Sequence, residues 1–144
     1  MTFYAPHSRS VRESGRYETQ GLYCLSIPGG YIKIGIAFDA IERARQLQSG
    51  CPERIAIGAF FDTEADGIVA SRMEREVHAK LAPYRTSGEW FYVPDHVVGL
   101  VLKEVWVKLR YPKIYERLQR LRAYMRATNH RRRLSEQRSK GEGK

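Results

Sequence analysis

The sequence predicts a small α/β (α+β) chain of about three or four short strands and several helices, and three observations carry that reading. Two runs rich in Ile, Leu and Tyr, Gly21–Ile27 and Tyr31–Ala37, flank Pro28-Gly29-Gly30, which is a hairpin signal. Residues 55–61 (Ile-Ala-Ile-Gly-Ala-Phe-Phe) are too few and too β-rich for a helix, and predict a third, central strand. From residue 66 to about 81, Val69, Ala70, Met73, Val77 and Leu81 recur at helical spacing ahead of Pro83, which predicts the longest helix of the body.

The remaining elements follow in order. Residues 1–19 are polar and aperiodic, with Pro6 and Gly15, and read as a flexible arm. Asp39 followed by Glu42 resembles a capping box, which Ile41, Ala44 and Leu47 continue as a helix until Gly50 and Pro52 stop it. Residues 89–93 give one more aromatic strand. Asp95 then caps a helix over about 96–109, and Pro112 breaks it. The expected division is thus an arm at 1–19, a domain at 20–111 and a basic helical tail at 112–144. In that tail Ile114, Leu118, Leu121 and Met125 line one side of a helix, a stripe that could dock on the body or pair two chains into a homodimer. Beyond Thr128 the charge density predicts disorder.

Charge separates the chain into two regions. Of the net +9, residues 113–144 carry +8, from eleven Lys or Arg against three Glu, whereas residues 1–112 hold fourteen Lys or Arg and thirteen Asp or Glu. A basic appendage on a nearly neutral body suits a polyanion, because Lys and Arg displace condensed counterions from a phosphate backbone. Charge alone does not separate DNA from RNA, and a solvated basic tail is its other reading. Cys24 and Cys51 have neither metal-ligand nor disulfide spacing, and Cys24 reads as a small core residue. No apolar run is long enough to span a bilayer, and residues 1–20 lack the apolar stretch of a signal peptide, so the expected setting is reducing and cytoplasmic. There is no Walker loop, zinc ribbon or Ser-His-Asp order.

The candidate chemistry lies on these elements. A three-residue Pro28-Gly29-Gly30 loop pairs Tyr23 with Gly35 and puts Tyr23 and Lys33 on one face, whereas a two-residue loop puts them on opposite faces. Arg43 and Arg45 flank the apolar stripe of the first helix. Glu74 and His78 are four residues apart on the long helix, a spacing at which a carboxylate and an imidazole can approach one ligand.

Taken in order, Gly21-Leu22-Tyr23, Lys33-Ile34-Gly35, Arg43 and Glu74 resemble the GIY-YIG endonuclease superfamily. Tyr31-Ile32-Lys33-Ile34-Gly35-Ile36, Glu74-x-x-x-His78 and Gly88-Glu89-Trp90-Phe91 are similar to a phage and bacterial branch known as a DNA-binding domain. The resemblance covers residues 21–93. It implies a central antiparallel sheet flanked by helices, and the register that sets Tyr23 beside Lys33. It also implies a DNA endonuclease that hydrolyses phosphodiester bonds with Mg²⁺ or Mn²⁺. Tyr23 would then serve as general base or orient the attacking water, with Lys33 and His78 beside it, Arg43 would steady the phosphate and Glu74 would hold the metal. Arg45, Arg117, Arg120, Arg131, Arg132 and Arg133 are the expected DNA contacts. Two departures stand out: Lys33 occupies a position where most members have tyrosine, and the only asparagine is Asn129, far from the acidic helix. They leave a second expectation, a module that binds DNA without turnover. Trp90 and Phe91 read as core, and Glu89 as either a supporting group or an exposed one.

Overall fold

The computed structural model describes residues 20–63 and 66–141 of the 144-residue chain, so the arm expected at 1–19 lies outside the described residues. Strands β1 (Gly21–Ile27) and β2 (Tyr31–Ala37) form the hairpin. Its turn needs left-handed backbone at both Gly29 (φ 90°) and Gly30 (φ 86°), a conformation that side chains resist. Because Pro28, Gly29 and Gly30 all lie in the loop, Ile27 pairs with Tyr31, Leu25 with Lys33 and Tyr23 with Gly35. Tyr23 and Lys33 therefore share a face.

Helix α1 (Ala40–Gln48) follows, and its first turn is held by Asp39, whose carboxylate accepts from the backbone N–H groups of Ile41 and Glu42. Strand β3 (Ala56–Phe61) pairs only with β1, and the sheet order is β3-β1-β2-β5-β4 among the described residues. The expectation of a central third strand is thereby corrected. A register shift between Cys24 and Leu25 and exposed Ala56 and Ile57 mark it as an edge strand, which an apolar run alone does not distinguish.

Helix α2 (Ala70–Leu81) begins later than its apolar spacing suggests. Gly67 takes a positive φ of 66°, and Ile68 N–H bonds the Thr63 carbonyl, so these residues turn the chain before the helix starts. A single 3₁₀ turn (Ala82–Tyr84) leads into β4 (Arg85–Ser87) and β5 (Trp90–Tyr92), and α3 (Asp95–Arg110) closes the unit. The sheet thus has five strands where three or four are expected, the extra one being β4.

Alternation along the strands divides the core in two. Leu22, Cys24, Ile32, Ile34 and Phe91 point to one face and are buried against Met73, Val77 and Leu81 of α2 and Val98, Leu102 and Val105 of α3. Each such side chain contributes roughly 1.5–3 kcal/mol on burial. Lys80–Glu104 (3.1 Å) and Lys108–Glu76 (2.7 Å) add partly exposed ion pairs between α2 and α3. On the opposite face Tyr23, Leu25 and Phe60 pack under Ala40, Ala44 and Leu47 of α1. Cys24 is a core residue, and burial, with Asp95 nearby, pushes its thiol up to about 12, far from the thiolate a reactive cysteine needs.

The chain divides between Arg110 and Tyr111 into two units. In the second, α4 (Pro112–Gly141) runs through Thr128, where disorder is expected, without a break. Arg, Leu, Gln and Glu are strong helix formers whatever their charge, and Pro112 suits a first helical position. The stripe Ile114, Leu118, Leu121 and Met125 is exposed, and Arg132 falls on its line and ends it. Two heptads fall short of the three or four that sustain a coiled coil, so the stripe does not by itself support a homodimer. Among the described residues no helix is long and apolar enough to cross a membrane.

Candidate active site

The site is built where β5 stops short. Strand β5 begins at Trp90, opposite Lys33, and runs antiparallel toward Tyr31, so among the described residues no strand pairs with the Gly35–Ala37 stretch of β2 on that side. Into that notch come side chains from both faces of the sheet and from the turn between β4 and β5.

Helix α2 reaches it first. Its inward stripe of Met73, Val77 and Leu81 fixes the rotation of the helix and places Glu74 and His78 toward β2. His78 Nε2 lies 2.9 Å from the Ile34 carbonyl, and its ring meets Phe91 edge-on at 5.1 Å. A carbonyl only accepts, so Nε2 carries the proton and Nδ1 is left as the second ring nitrogen. His78 thus continues the β2 ladder on the side where the β5 ladder is running out: the Ile34 N–H reaches only the Glu89 carbonyl, at 3.4 Å. Glu74 has no hydrogen bond or ion pair among the described residues. Burial raises its carboxyl, the nearby His78 opposes this, Glu89 raises it further and Lys33 opposes, and the net shift is upward from the ordinary value of 4.5.

Glu89, in the β4–β5 turn, is the residue whose role the sequence left open, and it occupies the centre of the notch. Its carboxylate accepts from Lys33 Nζ at 2.6 Å, and the same ammonium lies 5.8 Å from the centre of the Trp90 ring. Lys33 is 7% exposed, so its charge is held between a carboxylate and an aromatic face. Burial pushes Glu89 upward, but the Lys33 hydrogen bond and charge, with His78 and Arg43 adding to them, outweigh it and hold the carboxyl below 4.5. The Arg43 side chain donates to Gln46 within α1, and Arg45 is exposed beside Glu42 at 3.6 Å.

Tyr23 completes the arrangement from beneath α1. It is 1% exposed, and its ring lies over Gly35, where a Cβ would come 2.6 Å from the Tyr23 Cζ. Gly35 is glycine for that reason. The hydroxyl of Tyr23 has no hydrogen-bond partner among the described residues. It sits over Gly35, next in sequence to Ile34, whose carbonyl takes His78.

Lys33, Glu74 and His78 are thus brought to one edge of β2 together with Glu89, whereas Tyr23 lies over Gly35 on the α1 face and Arg43 bonds Gln46 within α1. Arg45 points to solvent, and Arg117, Arg120, Arg131, Arg132 and Arg133 are exposed on α4 in the other unit. Trp90, expected as core, is only half-buried: it faces Lys33, while its neighbour Phe91 is fully buried. The period-2 alternation of Trp90-Phe91-Tyr92 carries that distinction.

Among the described residues no group of three or more His, Cys, Asp or Glu is placed to hold a metal. The carboxylate of Glu74, partly desolvated and unpaired among the described residues, nonetheless fits a hard cation that keeps most of its waters and takes one protein oxygen together with substrate phosphate.

A family model described as the T5orf172 domain matches residues 7–106. No curated protein matches the chain, and no solved structure does. The match corrects the resemblance to the GIY-YIG superfamily. Much of that resemblance rests on packing: Gly21 lies against the Phe60 ring, where a Cβ would come 2.7 Å from Cε1, and Gly35 under Tyr23. Glycines at those places are what this hairpin needs in order to close under α1, whatever chemistry it carries.

Proposed function

Because this chain belongs to the T5orf172 domain family, we propose that it is a divalent-metal-dependent DNA endonuclease whose site is the notch at the β2 edge. The family has a nuclease-like or DNA-binding role, and DNA is the partner that role implies. The observation that carries the finer reading is the Lys33–Glu89 ion pair at 2.6 Å beside His78, which holds the Ile34 carbonyl at 2.9 Å, with Glu74 one helical turn before His78. A purely structural cluster would pair its charges, but Glu74 is partly buried and has no hydrogen-bonded partner among the described residues.

Phosphodiester hydrolysis requires that a water lose a proton as its oxygen bonds phosphorus, and that the departing oxygen gain one. His78 is one group that could move a proton, its Nδ1 having no partner among the described residues while Nε2 is engaged by Ile34, and Tyr23, whose hydroxyl is buried over Gly35 on the α1 face, would be the second. Arg43 and Lys33 offset negative charge on the scissile phosphate. Glu74 would hold Mg²⁺ or Mn²⁺, which supplies charge stabilisation at the phosphoryl oxygens. The basic α4, with Arg117, Arg120 and Arg131 to Arg133, would add affinity for the backbone without reading sequence.

The test is a titration of Mg²⁺ and Mn²⁺ against supercoiled plasmid, comparing wild type with Glu74→Ala. Nicking by wild type and not by a folded Glu74→Ala supports the reading, and intact plasmid across both metals overturns it. A second reading, a module that holds DNA without cutting it, is favoured by one observation, the near-complete burial of the Tyr23 hydroxyl. It predicts salt-dependent binding with no metal-dependent product.

A further inference from the structure

The face of the sheet that carries Tyr23 and Lys33 continues outward along β2 and β5, and there it changes character. Tyr31 lies directly opposite Tyr92, and Lys33 directly opposite Trp90, so three aromatic rings and one cation share the surface beyond the reach of the α1 core. The Tyr31 and Tyr92 rings are 5.2 Å apart with planes tilted by 49°, and they remain 40% and 59% exposed. Two large aromatic side chains side by side and open to water lose the solvation benefit of burial, an arrangement that needs a reason.

Their surroundings define the ligand. The hairpin tip beside them is bare, because the positive φ of Gly29 and Gly30 excludes side chains there, and a Cβ on Gly30 would come 3.5 Å from the Tyr92 ring. Gly30 also borders a depression of about 670 Å³ that runs to Arg54. In the other direction, two residues along the strand, roughly 7 Å, lies the Lys33–Glu89–Trp90 group of the notch. Two exposed rings 5.2 Å apart, one nucleotide step from the proposed scissile site and with the Arg54 cation across the bare hairpin tip, fit a base that has left its stack and lies against either ring while its phosphate takes the flanking charge. A base paired inside a duplex is stacked on both sides and has no free face to offer.

We infer that Tyr31 and Tyr92 form a stacking platform for an unpaired base, so that the DNA this protein acts on is single-stranded, gapped or tailed near the site. The inference rests on the reading of the notch as a DNA site and adds the substrate class. Its test is fluorescence anisotropy in chelator, so that DNA stays intact, with a blunt duplex and the same duplex carrying a central single-stranded gap. Wild type should bind the gapped form more tightly. The Tyr31→Ala/Tyr92→Ala double variant should weaken gapped binding about five- to a hundredfold and leave blunt binding in place, and Tyr31→Phe/Tyr92→Phe should restore it, since stacking needs the ring and not the hydroxyl. Equal wild-type affinity for both forms, or full retention of the preference by the alanine variant, overturns the platform and leaves the endonuclease reading untouched. A gapped preference lost in the alanine variant, together with uncut plasmid in the metal titration, keeps the platform and removes the endonuclease. Binding of neither DNA removes the platform, and the metal titration alone then decides the endonuclease.

Discussion

Lys33 and Glu89, 56 residues apart in sequence, meet at 2.6 Å across the end of β5, with the lysine buried and the glutamate half-exposed. The pair joins β2 to the β4–β5 turn and holds the ammonium at the notch. Glu89→Gln keeps the shape but leaves Lys33 without its counter-charge, which should cost about 1–2 kcal/mol, read as a lower urea midpoint at neutral pH. The pH dependence follows from the lowered Glu89 carboxyl. Folding favours its ionised form, so the contribution is complete above 4.5 and is lost as pH falls through the lower folded value. Wild type should therefore lose part of its advantage over Glu89→Gln below pH 4.5, and an advantage that is flat across that range would show that the pair contributes nothing to folding.

Glu74 has the opposite sign. Its folded carboxyl is raised, so the ionised group opposes folding, with no effect below 4.5 and the full effect once pH exceeds the folded value. Glu74→Gln should leave stability in chelator at pH 7 unchanged or up to about 0.5 kcal/mol higher, while cutting plasmid cleavage by about a hundredfold or more. Thermal unfolding in chelator beside the cleavage assay measures both, and a Glu74→Gln protein that unfolds more easily than wild type would assign this carboxylate a structural role.

The buried phenol of Tyr23 allows the two readings of the notch to be separated by one atom. Its hydroxyl has no partner among the described residues, so Tyr23→Phe removes a polar group from the core and should leave stability within about 1 kcal/mol of wild type. If the hydroxyl moves a proton in hydrolysis, cleavage falls by about 100-fold or more. Gly35→Ala acts on the same place by another route: the added Cβ meets the Tyr23 ring at 2.6 Å and should destabilise by about 1–3 kcal/mol. A Tyr23→Phe enzyme that cuts at the wild-type rate would restrict Tyr23 to packing.

What the sequence discloses here is what is local. Asp39 ahead of Ile41 caps α1, because caps are set by neighbours, and Pro28-Gly29-Gly30 marks the hairpin but leaves two registers open, which the observed pairing of Ile27 with Tyr31 decides. Strand β4 is Arg-Thr-Ser, exposed throughout, and has no pattern to betray it. The run at 55–61 reads as central because burial by α1 on one side and pairing to β1 look alike in composition. The placing of Glu74 beside His78 follows from a four-residue helical spacing, whereas Glu89 gains its meaning from Lys33, a partner no local period connects to it. The helix past Thr128 has a different cause, because the residues whose charge density predicts disorder there are also strong helix formers.

The separation of charge makes a last prediction. Residues 113–144 carry +8 of the net +9, and the described arginines of α4 are exposed, so most counterion displacement should come from this unit. The slope of log affinity against log salt for duplex DNA is about 0.9 per phosphate neutralised. Converting Arg131, Arg132 and Arg133 to Gln in the full chain should lower that slope by about two to three and weaken binding uniformly across sequences. Arg132 also pairs with Glu136 at 2.9 Å, but both are exposed and four apart on one helix, so losing that pair costs at most about 0.5 kcal/mol and the helix should persist by circular dichroism. Because the notch lies in the other unit, the triple variant should still nick plasmid at low salt and lose that activity at lower salt than wild type. An unchanged slope would place the electrostatic grip on the body, on Arg43, Arg45 and Arg54, and reduce α4 to a bystander in binding.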